Sequence, residues 1–556
     1  METEEIHAAK TKTEKIKTAS QKIIIPKDGI EGLKENFGKD ALSGFMVFLL
    51  ALPLSLGIAK ASDFPAIYGL VTAIIGGMVV SIFMGARLTI KGAAAGLIVI
   101  AADAVAKFGG GEQGWHLALG AIVVAGLVQI LFGVLKLGKL SDFFPTAAIH
   151  GMLAAIGLII ISKQIHFLLG INPALLKDPI TGHGKEPFEL FSMIPHSIMN
   201  ADHHVEIIGL MGLGILFGLT SLKKTFLSKI PAPLVVLILA IPLGLIFHFK
   251  ETEPTFDLVK VGSIIDAMKK QFINVDFSGA SSHTTIFIEY VILFALIGTI
   301  ESLLTAKAMD GLDPYKRKTN HDKDLIAVGI GNTICGFLGG LPMISEVARS
   351  SANINNGAKT RWANFFHGLF MLLALLFAVP VIEMIPNAAL AAMLIFVGLK
   401  LAHWKNFVHM WHVGKDQFII FVATVIITLS TDLLIGVASG IALELIVNII
   451  HGAKIGNLFK SNIEIHEQGN QLQLNIKGDA VFSNFLGLKK KIYGLPKGKH
   501  VIINLSNCGV IDHTTLHTLN DFKANYHNDG GKVIISGFVL HGAKGHHETS
   551  TRVKNK

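Results

Sequence analysis

The chain has 556 residues, of which 51% are hydrophobic and only 16% charged, with a formal net charge of +9. A mean hydropathy of +0.55 excludes a water-soluble fold of this length, because most of the chain must lie in lipid. The positive balance then reads as the Lys and Arg excess of cytoplasmic loops and not as a nucleic-acid footprint.

Residues 1–40 mix Lys and Glu without an apolar centre, so they are no cleaved signal peptide and read as a cytoplasmic tail. Over 41–454 apolar stretches of about 20 residues recur, the length a helix needs to cross the hydrocarbon core; 41–60 and 115–137 are clear cases. They begin near residues 41, 65, 92, 115, 145, 205, 231, 286, 325, 346, 361, 387, 417 and 432, about fourteen spans with two of them short. With the N-terminus inside, the basic connections at 136–139, 223–229, 307–323, 359–361 and 400–415 all fall in the cytoplasm, and those at 170–204 and 250–285 fall outside. Cys335 and Cys508 sit in different regions and build no disulfide or metal framework.

After about residue 455 the pattern changes. Leu472, Leu474 and Ile476 alternate with polar residues, 501–505 is a short apolar run, 516–522 has helical spacing and 533–536 is apolar again. The expectation is a small soluble α/β domain over 460–541, in the order strand, helix, strand, helix, strand, followed by a polar, disordered tail at 542–556.

Membrane transporters are often built from inverted repeats. A shift of 255 places Gly76 on Gly331, Gly85 on Gly340 and Lys91 on Glu346, and the last two residues each open one of the short spans. A helix that starts in mid-membrane directs unpaired N–H groups and the positive end of its dipole at the bilayer centre, where an anion fits. Two such half-helices, 88–106 and 343–356, running in from opposite sides would face one polar cavity. Gly92, Ala93, Ala94, Ala95 and Gly96 leave backbone accessible there, and Ser345, Arg349, Ser350 and Ser351 add donors. Charges in lipid cost roughly 2.5–3.5 kcal/mol each on insertion scales, so Lys91, Glu346 and Arg349 need partners or tasks. Two readings stand: Lys91 and Glu346 neutralise each other, or Lys91 and Arg349 set anion affinity while Glu346 tunes it or carries a proton. Glu301, inside the span from about 286 to 309 with Ser302 and Thr305 beside it, suits a proton or a sodium ion as coupling ion. Asp103, Lys163, Asp432 and Glu444 lie nearer span ends, where snorkelling or capping suffices, and receive no role.

The run IESLLTAKAMDGLDPYKRKTNHDKDLIAVGIGNTICGFLGGLP at 300–342, with RSSANINNGAKTR at 349–361, ALPLSLGIA at 51–59, GAAAGL at 92–97 and TDLLIGV at 431–437, resembles the SulP family of sulfate permeases and related anion transporters over nearly the whole chain. That resemblance implies an α-helical polytopic fold of fourteen spans in two inverted repeats of seven, a core domain rocking against a gate domain, and an anion held between spans 3 and 10. It gives Glu301 and Thr305 to ion coupling and Arg349 to the anion, and it implies a homodimer. Ile90, Lys91, Gly92 and Ala93 stand where the family usually has Ser-Gly-Pro, and Glu346 is an acid where a small or polar residue is expected. The C-terminal domain is similar to STAS domains, with Asp512-His513-Thr514-Thr515 in place of Asp-Ser-Ser-Gly, so Asp512 and Thr514 are candidate regulatory residues.

The expectation is a secondary active transporter of a small inorganic anion, sulfate or bicarbonate, working by alternating access with protons or sodium. The alternative is an uncoupled channel or an exchanger of chloride or dicarboxylates. No Walker A pattern, metal cluster or nucleophile–base set stands out, so no enzyme activity, cofactor or nucleic-acid partner is expected. The expected setting is a bacterial inner membrane, crossed many times, with both termini in the cytoplasm.

Overall fold

Lipid offers a backbone no hydrogen-bond partners, so a spanning chain has to satisfy its own N–H and C=O groups. In the computed structural model the chain does so with helices over most of the described residues between 25 and 450. The structure describes residues 25–138, 144–176, 185–221, 231–251, 258–261, 275–315, 317–431, 433–460, 462–496, 498–528 and 530–555. Asp432, residues 1–24 of the expected tail and much of the 250–285 connection lie outside the described residues.

The first half comprises α1 (Gly29–Ala61), α2 (Ile67–Phe83), strand β1 (Ile90–Ala93), α3 (Ile98–Lys107), α4 (Gly111–Val134), α5 (Thr146–Leu168), α6 (Pro187–Met199), α7 (His203–Ser221) and α8 (Ala232–Ile246). The second comprises α9 (Thr284–Leu312), α10 (His321–Phe337), strand β2 (Met343–Glu346), α11 (Val347–Asn355), α12 (Trp362–Phe377), α13 (Asn387–Leu401), α14 (Trp404–Val413), α15 (Lys415–Ser430) and α16 (Leu433–Ile450). Seven helices, α1, α4, α5, α7, α9, α16 and the stretch Asn387–Val413, are long and apolar enough to cross a bilayer, and α2, α8 and α12 are shorter apolar helices. Large apolar side chains such as Leu131, Ile238, Ile246 and Phe377 point outward, the reverse of a soluble protein and what a hydrocarbon solvent favours.

Helix α1 starts well inside the expected tail. Asp28 caps it by accepting the Gly29 N–H at 2.9 Å, and the same carboxylate pairs with Arg361, so a tertiary ion pair anchors a turn that composition alone assigns to the tail.

The shift of 255 carries the start of α1 onto the start of α9 and α2 onto α10 within one residue, and fails beyond the strands, where the second half is shorter. The matched glycines do equivalent work. A Cβ at Gly76 would meet the Lys91 carbonyl oxygen of β1 at 2.7 Å, and one at Gly331 the Met343 Sδ of β2 at 2.6 Å. Each lets its helix close on the strand of its own half. Helices α10 and α9 pack on α4 and α12 packs on α1, while α13 and α15 pack on α5 and α16 on α15, which separates two bundles.

The C-terminal domain is a six-stranded sheet of β3 (Asn462–Gln468), β4 (Gln471–Ala480), β5 (His500–Ile511), β6 (Lys532–Ser536), β7 (His541–Ala543) and β8 (Arg552–Lys554), with α17 (Phe485–Tyr493) and α18 (His513–Asn528). β4, β5 and β6 run parallel, as the strand–helix alternation requires. β3 is an added antiparallel edge. The expectation of a disordered 542–556 tail is wrong. β8 pairs with the end of β5 through Val510↔Val553 and Ile511↔Arg552, and β7 pairs with β8. The tail also docks on the membrane domain, where the His546 and His547 N–H groups donate to the His412 carbonyl at 3.1 and 3.2 Å. Its polar composition hides this order because backbone pairing supplies the contacts.

Candidate functional site

Strands β1 and β2 meet antiparallel, with Ile90 opposite Glu346 and Lys91 opposite Ser345. The 255-residue shift exchanges these two pairs, so the pseudo-twofold relation of the halves passes through the ladder between them. Two asparagines clamp it from either side. Asn364 accepts the Lys91 N–H at 3.2 Å and donates to the Gly76 carbonyl at 2.9 Å. Asn332 accepts the Met343 N–H at 2.6 Å and donates to the Met343 carbonyl at 3.2 Å and to Gln129 at 2.7 Å. Both half-helices therefore begin after a strand, later than expected: α11 at Val347, and α3 at Ile98 behind a 3-10 turn over Ala95–Leu97.

This offset overturns part of the expected site. Lys91 opens no helix and does not pair with Glu346. Its side chain is fully buried and its ammonium lies 2.6 Å from Asp324 Oδ2 and 2.5 Å from Ser345 Oγ. The other Asp324 oxygen accepts the N–H groups of Gly85 and Ala86 at 3.1 and 3.0 Å. Lys91 and Ser345 are thereby drawn into a scaffold that ties β1 and β2 to the first turn of α10. Ser350 likewise accepts the Ile90 N–H at 2.9 Å, and Ala94 donates to the Pro342 carbonyl at 3.3 Å. Gly92 and Ala93 belong to the ladder. The extended backbone explains the change: side chains alternate along a strand, so Lys91 and Glu346, expected to share one site, point to opposite faces.

The remaining residues do converge. Glu346 Oε1 accepts the Ala95 N–H at 2.9 Å at the start of the first half-helix. Glu301 lies against the next residue, and a Cβ on Gly96 would fall 2.1 and 2.3 Å from its two carboxylate oxygens. The two acids are near enough to repel each other, and Arg349 is near enough to attract Glu346. Arg349 is 1% exposed, yet none of its three guanidinium nitrogens has a hydrogen-bond partner among the described residues. It reaches over Gly92, where a Cβ would stand 2.4 Å from Nη1. His367 of α12, fully buried with both ring nitrogens unpartnered, interacts electrostatically with Arg349. Thr305 is buried one turn beyond Glu301, and Ser302 accepts the Ser345 N–H at 3.2 Å. A buried guanidinium whose donors have no hydrogen-bond partner among the described residues, next to a helix N-terminus, has the chemistry to accept a small oxyanion.

Asp324, Asn332, Asn364 and His367 escaped the sequence reading. The signal available was polarity inside apolar spans, which is costly in lipid and so implies partners. Of the acids left without a role, Glu444 is buried in α16 and accepts from Gln417 at 2.9 and 3.1 Å. Asp103 and Lys163 sit toward helix ends beside Tyr290 and Asp63.

Asp512 and Thr514 lie at the start of α18, buried against the membrane domain. Thr514 Oγ1 accepts the Thr146 N–H at the start of α5 at 3.0 Å, so a modifying enzyme reaches this hydroxyl only if the domain lifts away. Burial pushes the Asp512 carboxyl up to about 6, against the Thr515 and Phe482 N–H groups, at 2.8 and 2.5 Å, that hold it down.

Inverted halves joined by paired strands, with a guanidinium free of hydrogen-bond partners among the described residues beside a half-helix N-terminus, fit the architecture of a multi-pass transporter. The comparisons give the family. The profile of the sulfate permease family matches residues 37–424 and that of the STAS domain matches 462–538, so the chain belongs to the sulfate permease family and ends in a STAS domain. The family is one of anion transporters and not of enzymes. The chain is 26% identical over 512 residues to the putative sulfate transporter YvdB of Bacillus subtilis, covering 90% of this chain and 92% of that one. It is 26% identical over 416 residues to the bicarbonate transporter BicA of Synechocystis, covering 74% and 70%. Among solved structures, the transmembrane domain of a cyanobacterial BicA superposes with a TM-score of 0.62 at 24% identity, covering 73% of this chain and 97% of that one. The murine anion transporter Slc26a9 in its inward-facing state superposes at 0.63 with 15% identity, covering 89% and 85%.

Proposed function

We propose that the chain is a secondary active transporter of sulfate or bicarbonate, coupled to protons or sodium. In this reading the anion binds between α3 and α11, is carried by alternating access of the two bundles, and is released on the other side. The transporter acts as a homodimer in a bacterial inner membrane with both termini in the cytoplasm. The observation that carries this reading is Arg349, buried with every guanidinium nitrogen unpartnered. A permanent buried cation costs several kcal/mol unless an anion joins it, and the transported anion is the group that fits. Relatives named for sulfate and for bicarbonate bracket the substrate class.

Uptake of labelled sulfate and labelled bicarbonate into proteoliposomes, under imposed proton or sodium gradients, tests it. Wild type is expected to accumulate one of the two anions against its gradient. Glu301→Gln, which keeps the side-chain shape and removes the charge, is expected to abolish accumulation while passive exchange persists. Passive equilibration of the wild type, indifferent to both gradients, would favour a channel and leave Glu301 structural.

Gly96→Ala is a second test, because the space for a Cβ is taken by the Glu301 carboxylate. Uptake is expected to fall by at least about tenfold, the cost of a misplaced coupling group, with the protein still monodisperse in detergent. Wild-type uptake in this variant would remove Glu301 from the α3 tip.

A further inference from the structure

An anion entering between the half-helices needs the donors found there, and one of them is already engaged. The Ala95 N–H opens the first half-helix and donates to Glu346 Oε1 at 2.9 Å. The same carboxylate lies within the field of Arg349, the cation whose nitrogens are otherwise unpartnered. Glu346 thus combines the two interactions expected of the substrate, a helix N-terminus and a guanidinium. It is also half-buried, beside exposed Val347 and Ala348, and as the last residue of β2 it can swing about its side-chain torsions without disturbing the ladder.

We propose that Glu346 is a tethered anion that occupies the substrate site in the absence of substrate, and that the transported anion enters only as Glu346 leaves it carrying a proton. This rests on the transport reading above and adds the coupling device. The charge count around the site requires the proton. The groups facing Glu346 are Glu301 from α9 and Arg349 from its own half-helix. On the opposite face of the ladder Lys91 and Asp324 neutralise each other. On α1 Asp40 is engaged by the Thr360 hydroxyl and the Lys359 N–H. His367 of α12 stands behind Arg349. Glu346 already sits between one guanidinium that attracts it and one carboxylate that repels it. A third anion in this low-dielectric space is admitted when one carboxylate takes up H+ from the side to which the site is open, and the proton returns to solution when Glu346 resumes its place. Each cycle then moves one proton with each anion, with no bond formed or broken other than that O–H.

The test uses the full chain in proteoliposomes and whichever of labelled sulfate or bicarbonate the wild type takes up, with concentrations expressed as the anion itself. Between pH 6 and 8 the wild-type KM is expected to rise with pH, by up to about tenfold per unit for one linked proton. Glu346→Gln is expected to show a low KM that does not change with pH and an uptake rate that an inward proton gradient no longer raises. A Glu346→Gln variant that keeps the wild-type pH dependence, or that binds the anion more weakly than wild type, overturns the proposal. Should that variant fail to fold, the wild type decides alone in detergent: the anion is expected to stabilise it against thermal unfolding more at pH 6 than at pH 8, and equal stabilisation overturns the proposal. Uptake with a flat pH dependence defeats this inference only, whereas absence of uptake of either anion defeats the transport reading and this one with it.

Discussion

Replacing Arg349 with Gln or Ala is expected to raise the anion concentration for half-maximal uptake by about two to three and a half decades, with the protein still folded. The figure follows from the site. Removing one partner of a buried charge pair costs about 3–5 kcal/mol, and each 1.4 kcal/mol is a decade. The guanidinium presents several donors in a fixed fork, all unpartnered among the described residues, so Arg349→Lys, which supplies charge without the fork, is expected to recover little. Stability is expected to fall as well, because Glu346 loses the cation that attracts it and is left beside Glu301. Concentration-dependent uptake and thermal unfolding in detergent check both parts, and an unchanged KM in Arg349→Gln would place the anion elsewhere.

The second large effect is expected at Asp324, and it is structural. Asp324→Asn leaves the Lys91 ammonium buried without a counter-charge, while the amide oxygen of the new side chain still accepts from the Gly85 and Ala86 N–H groups. The penalty is about 3–5 kcal/mol, read as a large drop in melting temperature and in recovered protein. The double change Lys91→Met with Asp324→Asn removes both charges together, keeps an acceptor for the Gly85 and Ala86 N–H groups, and is expected to recover most of the stability, since neutral replacements of a buried pair are often tolerated. That double variant also separates two roles for Lys91. If it still takes up the anion with a near-normal KM, Lys91 holds β1 to α10; if the fold returns and uptake does not, Lys91 touches the substrate.

Much of the site was legible and part of it was misassigned for one reason. Glu301, Glu346 and Arg349 were marked because charges within apolar runs are costly, and that cost does not depend on how the runs are arranged. Lys91 was marked by the same rule and Ser345 and Ser350 as donors, but their neighbours were inferred from helix geometry. The chain is extended there. In an extended segment successive side chains face opposite sides, so Lys91 turns toward Asp324 while Glu346 turns toward Ala95. Four residues of β1 and four of β2 are too few to show a two-residue period against the surrounding glycines and alanines.

The soluble domain divides the same way. β4, β5, β6 and the helix α18 carry their own periodicity and were expected. β7 and β8 come from a polar tail and owe their order to the exposed end of β5 and to His412 of the membrane domain, neither of which lies near them in sequence.

What the sequence by itself determined is the lipid environment, the inverted halves and the presence of buried charges, because hydropathy, span length and the cost of a charge in hydrocarbon are local quantities summed along the chain. The tertiary structure alone decided which charge meets which. The Lys91–Asp324 pair joins residues of different halves, and so do the hold of Glu346 on Ala95 and the Glu301 carboxylate against Gly96. Those pairings depend on where two distant strands come into register, and electrostatic energy in a low-dielectric interior is set by separations of a few ångströms that no local pattern encodes.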